Sequence, residues 1–194
     1  LRQALPSHAR HTRFGAANRA TLWRLSLVLL LAAAAGEPIG DASRLAWAAA
    51  ALAALAASLD AVDGPLARAA GLASDFGARF DMETDALLVL VLSGLVLQFD
   101  KAGAWVLAAG LMRYAFVAAS RPWPWLTRPL PPSLRRKVVC VAQIVTLIAC
   151  LLPLIPSAMS TILAAAALAL LTYSFAVDVR WLARGRHQPL ETTA

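Results

Sequence analysis

The apolar residues of this chain gather into six blocks, roughly 21–35, 43–59, 77–99, 102–120, 138–152 and 157–182. A helix needs about 20 apolar residues to cross about 30 Å of hydrocarbon, at about 1.5 Å of rise per residue. Charged residues make up 15% of the 194, against about 25% in an ordinary soluble domain. Much of the surface must therefore face something other than water. The expected fold is all-α and integral to the membrane: six transmembrane helices in one bundle, preceded by an N-terminal amphipathic helix lying in the interface. Residues 1–20 form the basic interfacial segment, 21–186 the bundle and 187–194 a tail. Breaks between blocks carry loop chemistry, such as Gly36-Glu37-Pro38 and the Pro/Arg-rich stretch 121–136. The first and fifth blocks are short for a full span and are expected to extend into their flanks or to thin the bilayer locally.

The formal charge is +7, which raises nucleic acid as a partner until the cations are placed. Five lie in the N-terminal stretch (Arg2, Arg10, Arg13, Arg19, Arg24), five between Arg121 and Lys137, and three at Arg180, Arg184 and Arg186. Each group borders an apolar block, where topology-setting charge belongs. Attraction to anionic headgroups accounts for them, and no nucleic-acid partner is expected. Six spans put both termini on one side. With the termini cytoplasmic, the outer loops keep Arg44 and Lys101 beside Glu37, Asp41 and Asp100. The expected location is thus multi-pass in a bacterial inner membrane, with termini and active site cytoplasmic. No signal peptide is expected from the polar, Arg-rich start. Cys140 and Cys150, ten residues apart on one helix, lie about 15 Å from each other, too far for a disulfide. His8, His11 and His187 fall in polar flanks and read as solvated.

Six of the eleven acidic residues fall between Asp60 and Asp85, at the end of the second block and the start of the third. An ionisable group at membrane depth costs at least about 2.5–3.5 kcal/mol, so such a cluster signals function. Asp60 and Asp63 are three apart and Asp81 and Asp85 four apart, which puts each pair on one helical face. Gly77 extends the second face by one turn and admits close approach. Two helices meeting at their cytoplasmic ends would aim four carboxylates at one point. Oxygen ligands without His or Cys suit Mg²⁺, Mn²⁺ or Ca²⁺ and argue against zinc. Arg68, in the turn between the helices, has the fork that clamps a phosphate. Pro65 is expected to break or kink the helix just after Asp63.

The segment Asp60-x2-Asp63-Gly64-x2-Ala67-Arg68-x8-Gly77-x3-Asp81-x3-Asp85 resembles the motif of the CDP-alcohol phosphotransferases at all eight of its fixed positions. Asn18-x2-Thr21-x2-Arg24 is similar to a stretch that many members carry before their first span. The resemblance implies that Asp60, Asp63 and Asp81 are metal ligands. Asp85 would complete the site and act as the base that activates the acceptor hydroxyl. It implies a CDP-binding surface at Gly64, Ala67, Arg68 and Gly77, with Asn18 and Thr21 beside it, two Mg²⁺ or Mn²⁺ ions, and a homodimer. The reaction expected is transfer of a phosphatidyl (phosphoalcohol) group from CDP-diacylglycerol to a small alcohol, polyol or polyol phosphate, releasing CMP in phospholipid biosynthesis. In the alternative a CDP-linked small alcohol is the donor and a lipid hydroxyl the acceptor.

Outside the motif, Arg113 interrupts the fourth block. It either faces a polar cavity or snorkels to the interface. Arg135, Arg136 and Lys137 open the fifth block, as contacts for an anionic acceptor or as topology charge. Glu83 and Asp75 read as solvated or paired carboxylates. The tryptophans lie mostly at block ends, as an interfacial belt does. The rival from another class is a non-enzymatic, divalent-cation-binding membrane protein. A transporter, however, would place its acids near the midplane among broken helices, not at one junction beside an arginine.

Overall fold

Each apolar block becomes a helix, because a backbone surrounded by apolar side chains must satisfy its hydrogen bonds internally. The structure, a computed structural model, describes residues 16–35, 42–69 and 75–185. Its helices are α1 (Ala16–Ala34), α2 (Ala42–Ala69), α3 (Asp75–Gln98), α4 (Leu107–Ala119), α5 (Leu134–Leu151) and α6 (Ser157–Gly185). Short 3₁₀ turns, Ala104–Val106 and Pro124–Thr127, precede α4 and α5. The expected N-terminal interfacial segment, as far as residue 15, and the expected tail beyond 185 lie outside the described residues.

Length and composition alone qualify Ala42–Leu59 and Ser157–Gly185 to cross a membrane; Thr21–Ala34 and Ala104–Ala119 are shorter apolar stretches. Helices α3 and α5, of 24 and 18 residues, are long enough but carry charge at one end: Asp81, Glu83 and Asp85 on the first, Arg135, Arg136 and Lys137 on the second. The two short blocks do extend into their flanks, α1 back to Ala16 and α5 back to Leu134. Large apolar side chains, among them Trp23, Leu30, Val138, Val145, Ile162 and Trp181, are exposed on the outside of the bundle, a surface suited to acyl chains rather than water.

Helix α3 is central and packs against α1, α4 and α5, while α5 also meets α2 and α6. Its Leu88, Leu92, Leu95 and Val96 fill the core with Val28 and Leu31 of α1, Ala49, Ala50 and Ala53 of α2, and Leu147 and Leu151 of α5. Small residues let these backbones approach closely. At Gly110 of α4 a Cβ would run into the Leu90 Cα, so only glycine fits that crossing.

At the end of the bundle away from Asp81 and Asp85, α3, α5 and α6 are tied by one turn. Asp100 adopts φ 53°, the left-handed conformation that Asp tolerates better than most residues. The amides of Asp100 and Lys101 then return to the carbonyls of Leu97 and Val96, each at 3.0 Å, closing α3 with a Schellman motif. This turn aims Lys101 Nζ at the carbonyls of Leu152 (3.2 Å) and Ile155 (2.6 Å), where a cation suits the C-terminal end of α5. Thr161 Oγ1 donates to the Lys101 carbonyl at 3.2 Å, bringing α6 to the same place.

One expectation is corrected by the backbone. Helix α2 continues through Pro65 to Ala69, so proline does not end it after Asp63, and Arg68 belongs to the last helical turn rather than to a loop. A proline costs one amide donor and crowds the carbonyl four residues back. Such a local cost is a weak prior that the rest of the helix can override.

Candidate active site

The spacing of Gly77, Asp81 and Asp85 puts all three on one face of α3. Alongside, α1 turns Thr21 and Arg24 inward, one turn apart and both buried, Arg24 to 3% exposure. The Arg24 guanidinium joins three helices. Nη1 donates to Asp81 Oδ1 and Nη2 to Asp85 Oδ1, while Nε donates to the Ala56 carbonyl of α2 at 3.3 Å. The carboxylates are more open than their partner, with side-chain exposures of 40% for Asp81 and 23% for Asp85. The cation therefore forms the closed back of the site and the acids its accessible side. A buried guanidinium is costly unless its donors are paired with opposite charge; two carboxylates and a carbonyl meet that demand.

The other half of the motif follows from Ala56. Asp60 stands one turn beyond it on α2, and Asp63, Gly64, Ala67 and Arg68 follow in the same helical backbone. The chain path thus brings both halves of the motif to one level of the bundle. The side chains of Asn18, Asp60, Asp63, Ala67 and Arg68 lie outside the described residues. Among those that are described, no three metal-binding side chains cluster; Asp81 and Asp85 are the members of the motif's acid set that do appear, both as hard oxygen donors.

The remaining candidates are dispersed. Glu83 is about 200° around α3 from Asp81 at 100° per residue, and there it accepts a hydrogen bond from Arg113 Nη2 at 2.5 Å. Arg113 is thus brought to α3, but not to the face of the motif acids. Its Nε is buried with no hydrogen-bond partner among the described residues. Arg135 bonds the Ser174 carbonyl and hydroxyl and the Asp178 carboxylate. Arg136 reaches Asp178 at 3.3 Å and also donates to the Pro131 carbonyl. Both arginines therefore fasten α5 to α6, while Lys137 is exposed.

Two residues escaped the sequence reading. In sequence, Arg24 ends the basic flank and closes a short motif-like stretch. Its signal was position: a cation inside the first apolar block with no acid one turn away must find its partner on another helix. Asp178, a lone acid in the last block, carried the same signal.

The model of a family described as CDP-alcohol phosphatidyltransferase matches residues 14–173, a stretch that contains α1 Arg24, the whole acidic motif and the bundle as far as α6. No curated protein matches the chain.

Proposed function

Because the chain belongs to the CDP-alcohol phosphatidyltransferase family, a group of transferases of substituted phosphate groups, we propose that it moves a phosphatidyl group from CDP-diacylglycerol to a small alcohol or polyol and releases CMP. The observation that carries this reading is the pairing of Asp81 and Asp85, side by side on α3 and held from behind by Arg24. In the proposed reaction Asp85 takes the proton of the acceptor hydroxyl as its oxygen attacks phosphorus. The bond from that phosphorus to the CMP oxygen breaks, and CMP leaves. Gly64, Ala67, Arg68 and Gly77 hold the CDP portion, with the Arg68 fork on the diphosphate and Asn18 and Thr21 beside it.

The donor chemistry of the motif, four carboxylates without His or Cys, fits Mg²⁺ or Mn²⁺ held by Asp60, Asp63, Asp81 and Asp85. Bound there, two such ions supply neutralisation of the diphosphate and of the leaving phosphate. A lipid donor is supported by an apolar cleft of about 380 Å³ between α1 and α2, lined by Leu30, Leu31, Ala34, Leu45, Ala49 and Leu52. Leu52 is one turn from Ala56, whose carbonyl Arg24 holds, so one end of the cleft lies within a few turns of the paired acids. The same reading makes the protein a multi-pass homodimer with its site at the cytoplasmic face.

The test is CMP release by purified protein given CDP-diacylglycerol, Mn²⁺ and a panel of alcohols, polyols and polyol phosphates. Release that requires both a hydroxyl acceptor and Mn²⁺, and stops with EDTA, is the expected result. Release with CDP-linked small alcohols and a lipid hydroxyl instead would reverse the donor assignment, and no release from either donor class would overturn the transferase reading.

A further inference from the structure

A glutamine at membrane depth is expensive unless its amide is hydrogen-bonded, and buried side-chain polar atoms almost always are. Gln143 of α5 is 1% exposed, yet neither its Oε1 nor its Nε2 has a partner among the described residues. It lies on the buried face of α5 with Val139, Ile144 and Leu147, in a helix that packs against α2, α3 and α6.

Its level in the bundle can be read from the surrounding bonds. Cys150 Sγ reaches the Ser160 carbonyl at 3.5 Å, and Arg135 meets Ser174. Counting inward from either anchor along this antiparallel pair puts Gln143 beside residues 166–167 of α6. Helix α4 links α6 to α3, because Phe116 packs on Phe175 and Arg113 bonds Glu83. That places Gln143 about one to two turns outward of Asp85. What each neighbour offers at this level is apolar. Residues 164–167 of α6 are all alanine, residues 88–92 of α3 are Leu, Val, Leu, Val and Leu, and residues 49–53 of α2 are alanine except for Leu52. Ser93, the next polar group along α3, donates its hydroxyl to the Val89 carbonyl of its own helix at 2.7 Å. A polar residue inside a helical membrane bundle ordinarily bonds a neighbouring helix or lines a cavity. At this level the described residues of these three helices supply no side-chain partner for the first role.

We propose that the Gln143 amide hydrogen-bonds a hydroxyl of the acceptor alcohol at the deep end of the site, outward of Asp85, and so selects for polyhydroxylated acceptors. The inference rests on the transferase reading above. A carboxamide suits this task because it both donates and accepts, matching a hydroxyl that does the same without bringing a charge into the bundle. A site built to bond a hydroxyl discriminates against the analogue that lacks it, since its own polar groups are then left unpaired.

The experiment pairs a residue change with a ligand change. KM and kcat are measured for a polyol acceptor and its monodeoxy analogues, in the parent and in Gln143→Met, which keeps the length and removes the amide. The parent is expected to show a KM about tenfold higher for one deoxy analogue. Gln143→Met should treat that analogue and the full polyol alike, with unchanged KM for the CDP-linked donor, unchanged Mn²⁺ affinity and a thermal midpoint no lower than the parent's. Equal discrimination by parent and variant overturns the proposal and leaves the amide to an internal water. A variant of lowered midpoint with unchanged acceptor preference overturns it in favour of a packing role. A parent that releases no CMP from any CDP-linked donor overturns the transferase reading and this inference with it, whereas an active parent that ignores every missing hydroxyl sinks the inference alone.

Discussion

Arg24 of α1 and Asp85 of α3 form an ion pair across 61 positions of sequence, and the same guanidinium also holds Asp81. Because Arg24 is buried and the acids are partly open, the pair has a closed side and a reactive side. Removing the cation should therefore cost both stability and geometry. Loss of one partner from a buried pair destabilises by about 3–5 kcal/mol. The open carboxylates put Arg24→Gln near the lower end of that range. Arg24→Lys, which cannot bridge two acids in one plane, should recover part of the thermal midpoint and little of the CMP-forming rate. Thermal unfolding in detergent beside initial rates checks both; a Gln variant as stable and active as the parent would make the pair incidental.

Asp85 and Asp63 should separate by assay. If Asp85 is chiefly the base, Asp85→Asn should lower kcat by about 10²–10⁴-fold while Mn²⁺ and donor affinities stay near the parent's. Asp63→Asn, at a position assigned to metal, should weaken Mn²⁺ binding. Titration of Mn²⁺ and of donor on both variants reads the difference, and an equal loss of metal affinity would make Asp85 a plain ligand.

The charge pattern predicts orientation. Reporters fused after Ala194 or inserted within 121–136 should signal the cytoplasm, and one placed between Asp100 and Gly103 should signal the outside. An external signal from either of the first two would move the acids to the wrong face for a soluble nucleotide.

The α3–α4 crossing should tolerate nothing larger than glycine at 110. Its missing Cβ would run first into the Leu90 Cα, which no rotamer change can move, and then into that residue's side chain, so Gly110→Val should push the helices apart. A cost of about 1–3 kcal/mol is expected for such overpacking. Because Arg113 lies on the same helix, its bond to Glu83 should loosen as well. The thermal midpoint of Gly110→Val checks this, and a midpoint equal to the parent's would show that the crossing has slack.

The acidic motif was legible in the sequence because its chemistry is local. The spacing of Asp60, Asp63, Asp81 and Asp85 follows the helical repeat, so each pair shares a face wherever the helix lies. The helical blocks were legible for the same reason: a run of apolar residues satisfies its backbone within itself. Pro65 does not end α2, because the cost of one proline is a weak prior that the rest of a helix can override. What lies between helices depends on how they pack, and one-dimensional spacing does not encode that. The burial of Arg24 behind Asp81 and Asp85, the opposite face taken by Glu83 and Arg113, and the fastening of Arg135 and Arg136 to Asp178 all join residues 30 or more positions apart. Gln143 is the clearest case. The sequence presents an ordinary polar residue in an apolar block, and only the convergence of α2, α3 and α6 around it, apolar at the facing positions, leaves its amide with no partner among the described residues.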